Sequence, residues 1–194
     1  MNEKIQKILA QITELEDELE DILQAKQEHI LYRLKDGKIR FKQEIEEAHK
    51  ELKENLLHWF LDSRPRNIIS APFIYSMVIP FVFFDICISI YQFICFPLYQ
   101  INKVKRSRYI IIDRYHLKHL NSLEQFHCVY CGYANGLLSY VREVAARTEQ
   151  YWCPIKHARR IIDRHQHYHN FIDFGDANNY YARIDDLRKR LSEE

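Results

Sequence analysis

Apolar positions divide the chain into an amphipathic arm, a greasy middle and a mixed C-terminal region. Ile5, Ile8, Ile12, Leu15, Leu19 and Ile22 recur at alternating steps of three and four, with mostly Glu, Asp, Gln and Lys between them. That spacing places them on one seam of a helix and predicts a short coiled coil. The seam can pair with a second copy, with a protein partner, or with a helix expected over residues 43–61, whose stripe is Ile45, Ala48, Leu52, Leu56 and Trp59. Between the two, Ile30, Tyr32 and Leu34 alternate with polar residues up to Asp36-Gly37, and Ile39 and Phe41 alternate after it. This predicts a small β-hairpin near residues 30–42, with a helix-turn-helix capped by Gly37 as the competing reading.

From Ile68 to Leu98 the only formal charge is Asp85. A run of this length and composition predicts a membrane-embedded segment. Arg64 and Arg66 precede it, and Lys103, Lys105, Arg106 and Arg108 follow it. Basic residues on both sides are unusual for one simple span, because the Lys/Arg-rich side stays cytoplasmic. Pro80 near the middle divides the run into two pieces, each only ~18 Å long as helix against a hydrocarbon core of ~30 Å. Two readings stay open: a re-entrant hairpin bent at Pro80, and a single tilted span from Phe73 to Leu98. In either, Asp85 costs about 2.5 to 3.5 kcal/mol at depth, so it must face protein, water or a partner.

Past the run, Tyr109 to Ile112 is β-branched, and Leu117, Leu120, Leu123 and Phe126 predict a helix ending just before Cys128. Leu137, Leu138, Val141, Val144, Ala145 and Tyr151 predict another, starting after an Asn135-Gly136 turn. A further helix is expected from Pro154, and a last one over residues 177–191, with Asp176 as N-cap and Tyr180, Ile184, Leu187 and Leu191 as its seam. The fold class is therefore all-α, in three parts: a coiled-coil arm over 1–67, a membrane-embedded Pro-kinked segment over 68–99 and a helical Cys/His domain over 100–194.

Charge sharpens this division. Residues 1–67 carry 12 basic and 15 acidic side chains, whereas residues 100–170 carry 12 basic and 5 acidic. The basic part faces something negative, and its adjacency to the apolar run selects anionic membrane lipid over nucleic acid. The N-terminus, with Glu3 and no continuous apolar core, does not read as a secretory signal. Five cysteines in no paired framework point to a reducing, cytoplasmic setting.

Cys128-x-x-Cys131 followed by Gly132, then Cys153-Pro154 and His157, has the spacing of a Cys3His metal site, with zinc as the expected ion and iron as the alternative. One objection is geometric: a helix over residues 137–150 would hold Cys131 and Cys153 beyond its opposite ends, unless the chain doubles back. His127, His116 or His119 could complete the Cys128-Cys131 pair instead. Cys153 at a helix N-terminus with His157 one turn on could also be an activated thiolate. His165, His167 and His169 form a His-x-His-x-His run that reads as a solvated helix end or a second metal site. No Gly-rich phosphate loop or serine-hydrolase elbow is present in the sequence.

The segments Cys128-Val-Tyr-Cys131-Gly-Tyr-Ala-Asn-Gly136 and Ala145-Ala-Arg-Thr-Glu-Gln-Tyr-Trp-Cys-Pro-Ile-Lys-His157-Ala-Arg-Arg160 resemble those of a family of uncharacterised bacterial membrane proteins. The resemblance covers about Leu31 to Arg160 and includes the Pro-interrupted run with Asp85. It implies residence in the bacterial inner membrane and supplies no activity; the basic excess after the run and the unpaired cysteines put the soluble parts on the cytoplasmic side. The sequence thus leads to a membrane-anchored, zinc-stabilised adaptor or assembly protein. The alternative is a membrane-bound enzyme or redox carrier that uses Cys128, Cys131, Cys153, His157 and Asp85.

Overall fold

In the computed structural model, residues 3–30, 32–35, 38–41, 47, 64–178 and 180–193 are described. The chain divides into two compact units, Met1–Phe60 with Asp113–Gln125, and Leu61–Ile112 with Phe126–Glu194. The apolar run therefore shares a unit with most of the C-terminal region.

In the first unit, α1 runs over Glu3–Ile30, a stretch without Gly or Pro to interrupt it. Its seam residues Ile8, Ile12, Leu15, Leu19 and Ile22 are bare, each between 45% and 63% exposed. Strands β1 (Tyr32–Lys35) and β2 (Lys38–Phe41) pair antiparallel, Tyr32 opposite Phe41 and Leu34 opposite Ile39, which resolves the local ambiguity in favour of the hairpin. The expected turn at Asp36-Gly37 and the stripe of the helix expected over 43–61 lie outside the described residues.

In the second unit, α2 (Pro65–Ser76) and α3 (Val78–Leu98) form one bent apolar helix of 34 residues, long and apolar enough to cross a membrane. Pro65 starts it, its missing N–H falling where a helix has no use for one. The bend lies at Met77, three residues ahead of Pro80. Proline cannot bond the carbonyl one turn back, which loosens the helix there, but Pro80 sits in the first turn of α3 and the chain does not reverse. Of the two readings left open for this run, the re-entrant hairpin bent at Pro80 is not formed.

The helix α4 covers Ser122–Trp152 without a break. A capping box starts it: the Asn121 Oδ1 accepts from the N–H groups of Leu123 and Glu124, both at 3.0 Å, while the Asn121 N–H donates to the Glu124 carboxylate at 2.9 Å. This corrects the expectation of a helix ending before Cys128 and a new one after Asn135-Gly136. Both glycines of that stretch, Gly132 and Gly136, are buried inside the helix.

Helices α3 and α4 lie side by side and run parallel. Tyr75 contacts Phe126 and Tyr130, Tyr133 bonds Asp85, Tyr140 bonds Gln92, and Tyr99 stacks on Tyr151. Parallel neighbours need a return, and residues 101–112 supply it. The chain leaves α3 through Gln100 in the left-handed region (φ 57°), with the Ile101 N–H donating back to the Phe96 carbonyl at 2.9 Å. It then runs back along both helices. Gln92 fastens it: its amide oxygen accepts the Val104 N–H at 2.8 Å, and its amide nitrogen donates to the Val104 carbonyl at 3.3 Å. Farther on, the segment rests on the two glycines. A Cβ on Gly136 would stand 2.6 Å from the Tyr109 carbonyl oxygen, and one on Gly132 3.2 Å from that of Ile111. Phe96, Leu137, Tyr140, Val144 and Leu191 form the core of this assembly.

The last helix, α5 (Tyr180–Glu193), buries the expected residues Ile184, Leu187 and Leu191. It begins four residues after Asp176, which is therefore not its N-cap. No helix starts at Pro154: residues after α4 turn irregular, and Ile155 pairs in a single parallel bridge with Ile172.

Candidate functional site

The outer face of α3 is apolar along its whole length. Ile79, Phe83, Phe93 and Leu98 are 69% to 74% exposed, and Ile86, Ile90 and Ile94 lie between them on the same arc. Ile69 and Phe73 on α2 are equally bare. At 100° per residue these α3 side chains fall within one arc, and Phe81, Asp85, Ile88, Gln92 and Phe96 fall on the opposite one. Gln92 and Phe96 are buried there against α4.

Asp85 is held on that inner face by three neighbours. Arg106 grips it with two bonds, Nε to one oxygen at 3.1 Å and a terminal nitrogen to the other at 2.6 Å. The Tyr133 hydroxyl donates at 3.0 Å, and Ser89 Oγ lies at 3.5 Å. The one charge of the apolar run is thus matched by a residue of the basic stretch, and faces protein as the cost of burying it required. Lys103 stands over the Phe93 ring, 4.4 Å from its centre, at the edge of the bare arc. Arg106 lies on the inner side, and Lys105 and Arg108 are exposed on the same return segment.

The second concentration of polar chemistry is buried between α4 and the 3-10 turn Gln166–Asn170. Glu143, only 6% exposed, accepts from Arg147 Nε at 2.8 Å and from His167 Nε2 at 3.1 Å, with Gln166 at 3.4 Å. A carboxylate only accepts, so the His167 Nε2 carries the proton. These donors outweigh burial and hold the Glu143 carboxyl down at about 2. His165 makes a parallel pair with Glu149 at 3.1 Å, and burial pushes its imidazole below its ordinary value. Its Nδ1 is buried without a hydrogen-bond partner among the described residues. Beside this cluster a cleft of about 270 Å³ is lined by Tyr109, Ser139, Arg142, Glu143, Arg164 and His165. Three donors converge on Glu143 and hold its carboxyl low, which makes it a weak base toward the cleft. The His-x-His-x-His spacing marks the histidines but does not name Glu143 and Glu149 as their partners. A signal was present: Tyr140, Glu143, Arg147 and Gln150 share one stripe with core residues, and charges at core spacing announce a buried network.

The expected Cys3His set is not assembled. Cys128 and Cys131 lie on α4, and Cys153 follows its last residue, so Cys131 and Cys153 are roughly 30 Å apart along the helix axis. Cys131 and Cys153 are exposed thiols, and His157 is exposed as well. Among the described residues, no group of three or more His, Cys, Asp or Glu side chains stands where it could hold one metal ion. The expected Cys153 N-cap is absent because no helix follows it, which removes the dipole argument for an activated thiolate. His165 and His167 are split between separate carboxylates.

No protein-family model matches the chain, and no curated protein or solved structure is similar enough to it to count as a match.

Proposed function

We propose that this protein is a membrane-bound adaptor: the bent apolar helix seats it in a bilayer, and the α1 arm takes a protein partner or a second copy of the chain. The observation that carries the reading is the bare outer arc of α2–α3. Six of its side chains, Ile69, Phe73, Ile79, Phe83, Phe93 and Leu98, are each about 70% exposed. Taking ~2 kcal/mol for full burial of each, their transfer to lipid is worth on the order of 10 kcal/mol gross. An exposed strip of this size marks a surface made to be covered. The bare seam of α1 is the corresponding feature for a protein partner.

The exposed Lys103, Lys105 and Arg108 of the return segment support an anionic surface as its counterpart, which in a bacterium would be the cytoplasmic leaflet of the inner membrane. The interior is stabilised by Glu143 and its donors and by the Asp85–Arg106 clamp, so the proposal uses no metal step. Fractionation of cells expressing the full chain tests it. The protein is expected in the membrane pellet after an alkaline carbonate wash, whereas release into the supernatant refutes lipid as the partner of the helix.

A further inference from the structure

Building on the membrane reading, we infer that α2–α3 lies in the plane of the bilayer surface as a monotopic anchor, with its bare arc in one leaflet, and does not cross the membrane. Three observations converge on this.

The first is where the polar groups stand. A spanning helix gathers its charges at its two ends, because that is where the water is. Here they run along its flank. Arg106 meets Asp85 near the middle of the 34-residue helix, and Lys103 stands over Phe93. A ~20-residue crossing centred on the helix, about residues 72–91, would carry the Asp85–Arg106 pair into hydrocarbon, and the windows that leave Asp85 at or beyond their end take in Arg66 instead. Windows toward the C-terminal end would also take in the return segment that Gln92 fastens at Val104.

The second is length. The helix is about 50 Å long against a hydrocarbon core of ~30 Å, so an upright crossing leaves about 20 Å of apolar helix in water. An in-plane helix has no such mismatch, since length is not what identifies interfacial helices.

The third is sidedness of exposure. On α3 the outer arc from Ile79 to Leu98 carries no charge, while the inner arc is covered by α4 and the return segment. One face apolar and the other fixed to a polar assembly is the pattern of an interfacial anchor. Lys103, Lys105 and Arg108 then meet lipid phosphate at the rim. The chain would enter at Arg64 and leave at Lys103 on the same side of the bilayer.

The test is depth. Phe73→Trp, Phe83→Trp and Phe93→Trp are made singly in a full-length chain whose own Trp59 and Trp152 are replaced by Phe, so that the introduced ring is the one fluorophore read, and bound to phosphatidylcholine–phosphatidylglycerol vesicles with bromines at graded acyl positions. An in-plane helix predicts that the same shallow bromines quench all three best, at depths agreeing within about 5 Å. A crossing helix predicts depths differing by about 15 Å between successive positions, from ten residues at 1.5 Å each, and that result overturns the inference. Protein that floats with the vesicles yet shows no quenching at any site also overturns it, because the arc is then covered by protein. Failure to float at all instead sinks the membrane reading itself. The unaltered chain gives a second measure that depends on no variant: trypsin outside sealed vesicles is expected to cut both after Arg66 and within Lys103–Lys105, and protection of one site refutes same-side emergence.

Discussion

Substituting Gly136 with alanine sets two well-defined effects against each other. In a helix interior, alanine is favoured over glycine by up to about 1 kcal/mol, so local propensity alone predicts a more stable protein. The new methyl would meet the Tyr109 carbonyl oxygen at 2.6 Å and the Ile110 Cα at 2.8 Å, both backbone atoms. Ordinary contact needs about 3.4 Å or more, so the return segment must retreat by nearly an ångström. It is not at liberty to do so: the Tyr109 and Ile110 N–H groups both bond the Arg106 carbonyl at 3.1 Å, and Arg106 itself is clamped to Asp85. Overpacking of this kind costs roughly 1–3 kcal/mol, and more where backbone must move. The expected net result is a loss of about 1–2 kcal/mol, a fall in Tm of roughly 2–8 °C for a chain of this size. Thermal unfolding followed by circular dichroism, in detergent or vesicles, reads it directly. Gly132→Ala is the internal control, because its Cβ would sit 3.2 Å from the Ile111 oxygen, a distance that a few tenths of an ångström relieve. A higher Tm for Gly136→Ala than for the parent would refute the packing of residues 109–111 on α4.

Other expectations follow from the same structure. Glu143 has its carboxyl lowered from 4.5 to about 2, so its contribution of about 3 kcal/mol is present above pH 4.5 and disappears as the pH falls toward 2. Glu143→Gln should therefore flatten acid denaturation over that window; an unchanged profile contradicts the cluster. His165, held below its ordinary value, acts in the same direction, since the unfolded chain takes up its proton first as the pH drops below about 6.5. Gln100→Gly, at φ 57°, relieves a left-handed residue at the end of α3 and should stabilise by about 1 kcal/mol in a denaturant titration. Cys153→Ser should leave the unfolding transition of the C-terminal region within about 2 °C of the parent, well under the loss expected from breaking a structural metal site; a collapse of that transition restores the four-ligand reading.

What was legible in the sequence was mainly periodicity. The α1 seam and the Ile184–Leu187–Leu191 face of α5 follow from spacing, because each is decided within one turn of its neighbours; over residues 30–42 spacing leaves hairpin and helix-turn-helix both open, and the pairing of β1 with β2 decides. Residues 128–136 misled because Cys-x-x-Cys-Gly and Asn-Gly usually mark turns. Here the glycines, four apart on one helical face, make room for another segment to approach, and that need originates at Tyr109 and Ile111. Pro154 carries two meanings, start and stop, and only the pairing of Ile155 with Ile172 selects the second. The Glu143–His167 contact joins residues 24 apart in sequence and belongs to tertiary packing. Asp85 was the reverse case: the cost of its burial demanded a partner, though nothing in the spacing named Arg106.

The parallel arrangement of α3 and α4 has a consequence for how the chain is made. Residues that touch across it are 48 to 57 positions apart, from Asp85 and Tyr133 to Tyr91 and Thr148. At ~5–20 residues per second, the ribosome needs several seconds to deliver the second helix after the first has emerged. During that interval both flanks of the earlier helix are naked, so a nascent chain must shelter it on a membrane or in a chaperone, and the return segment can settle only after synthesis has passed Trp152.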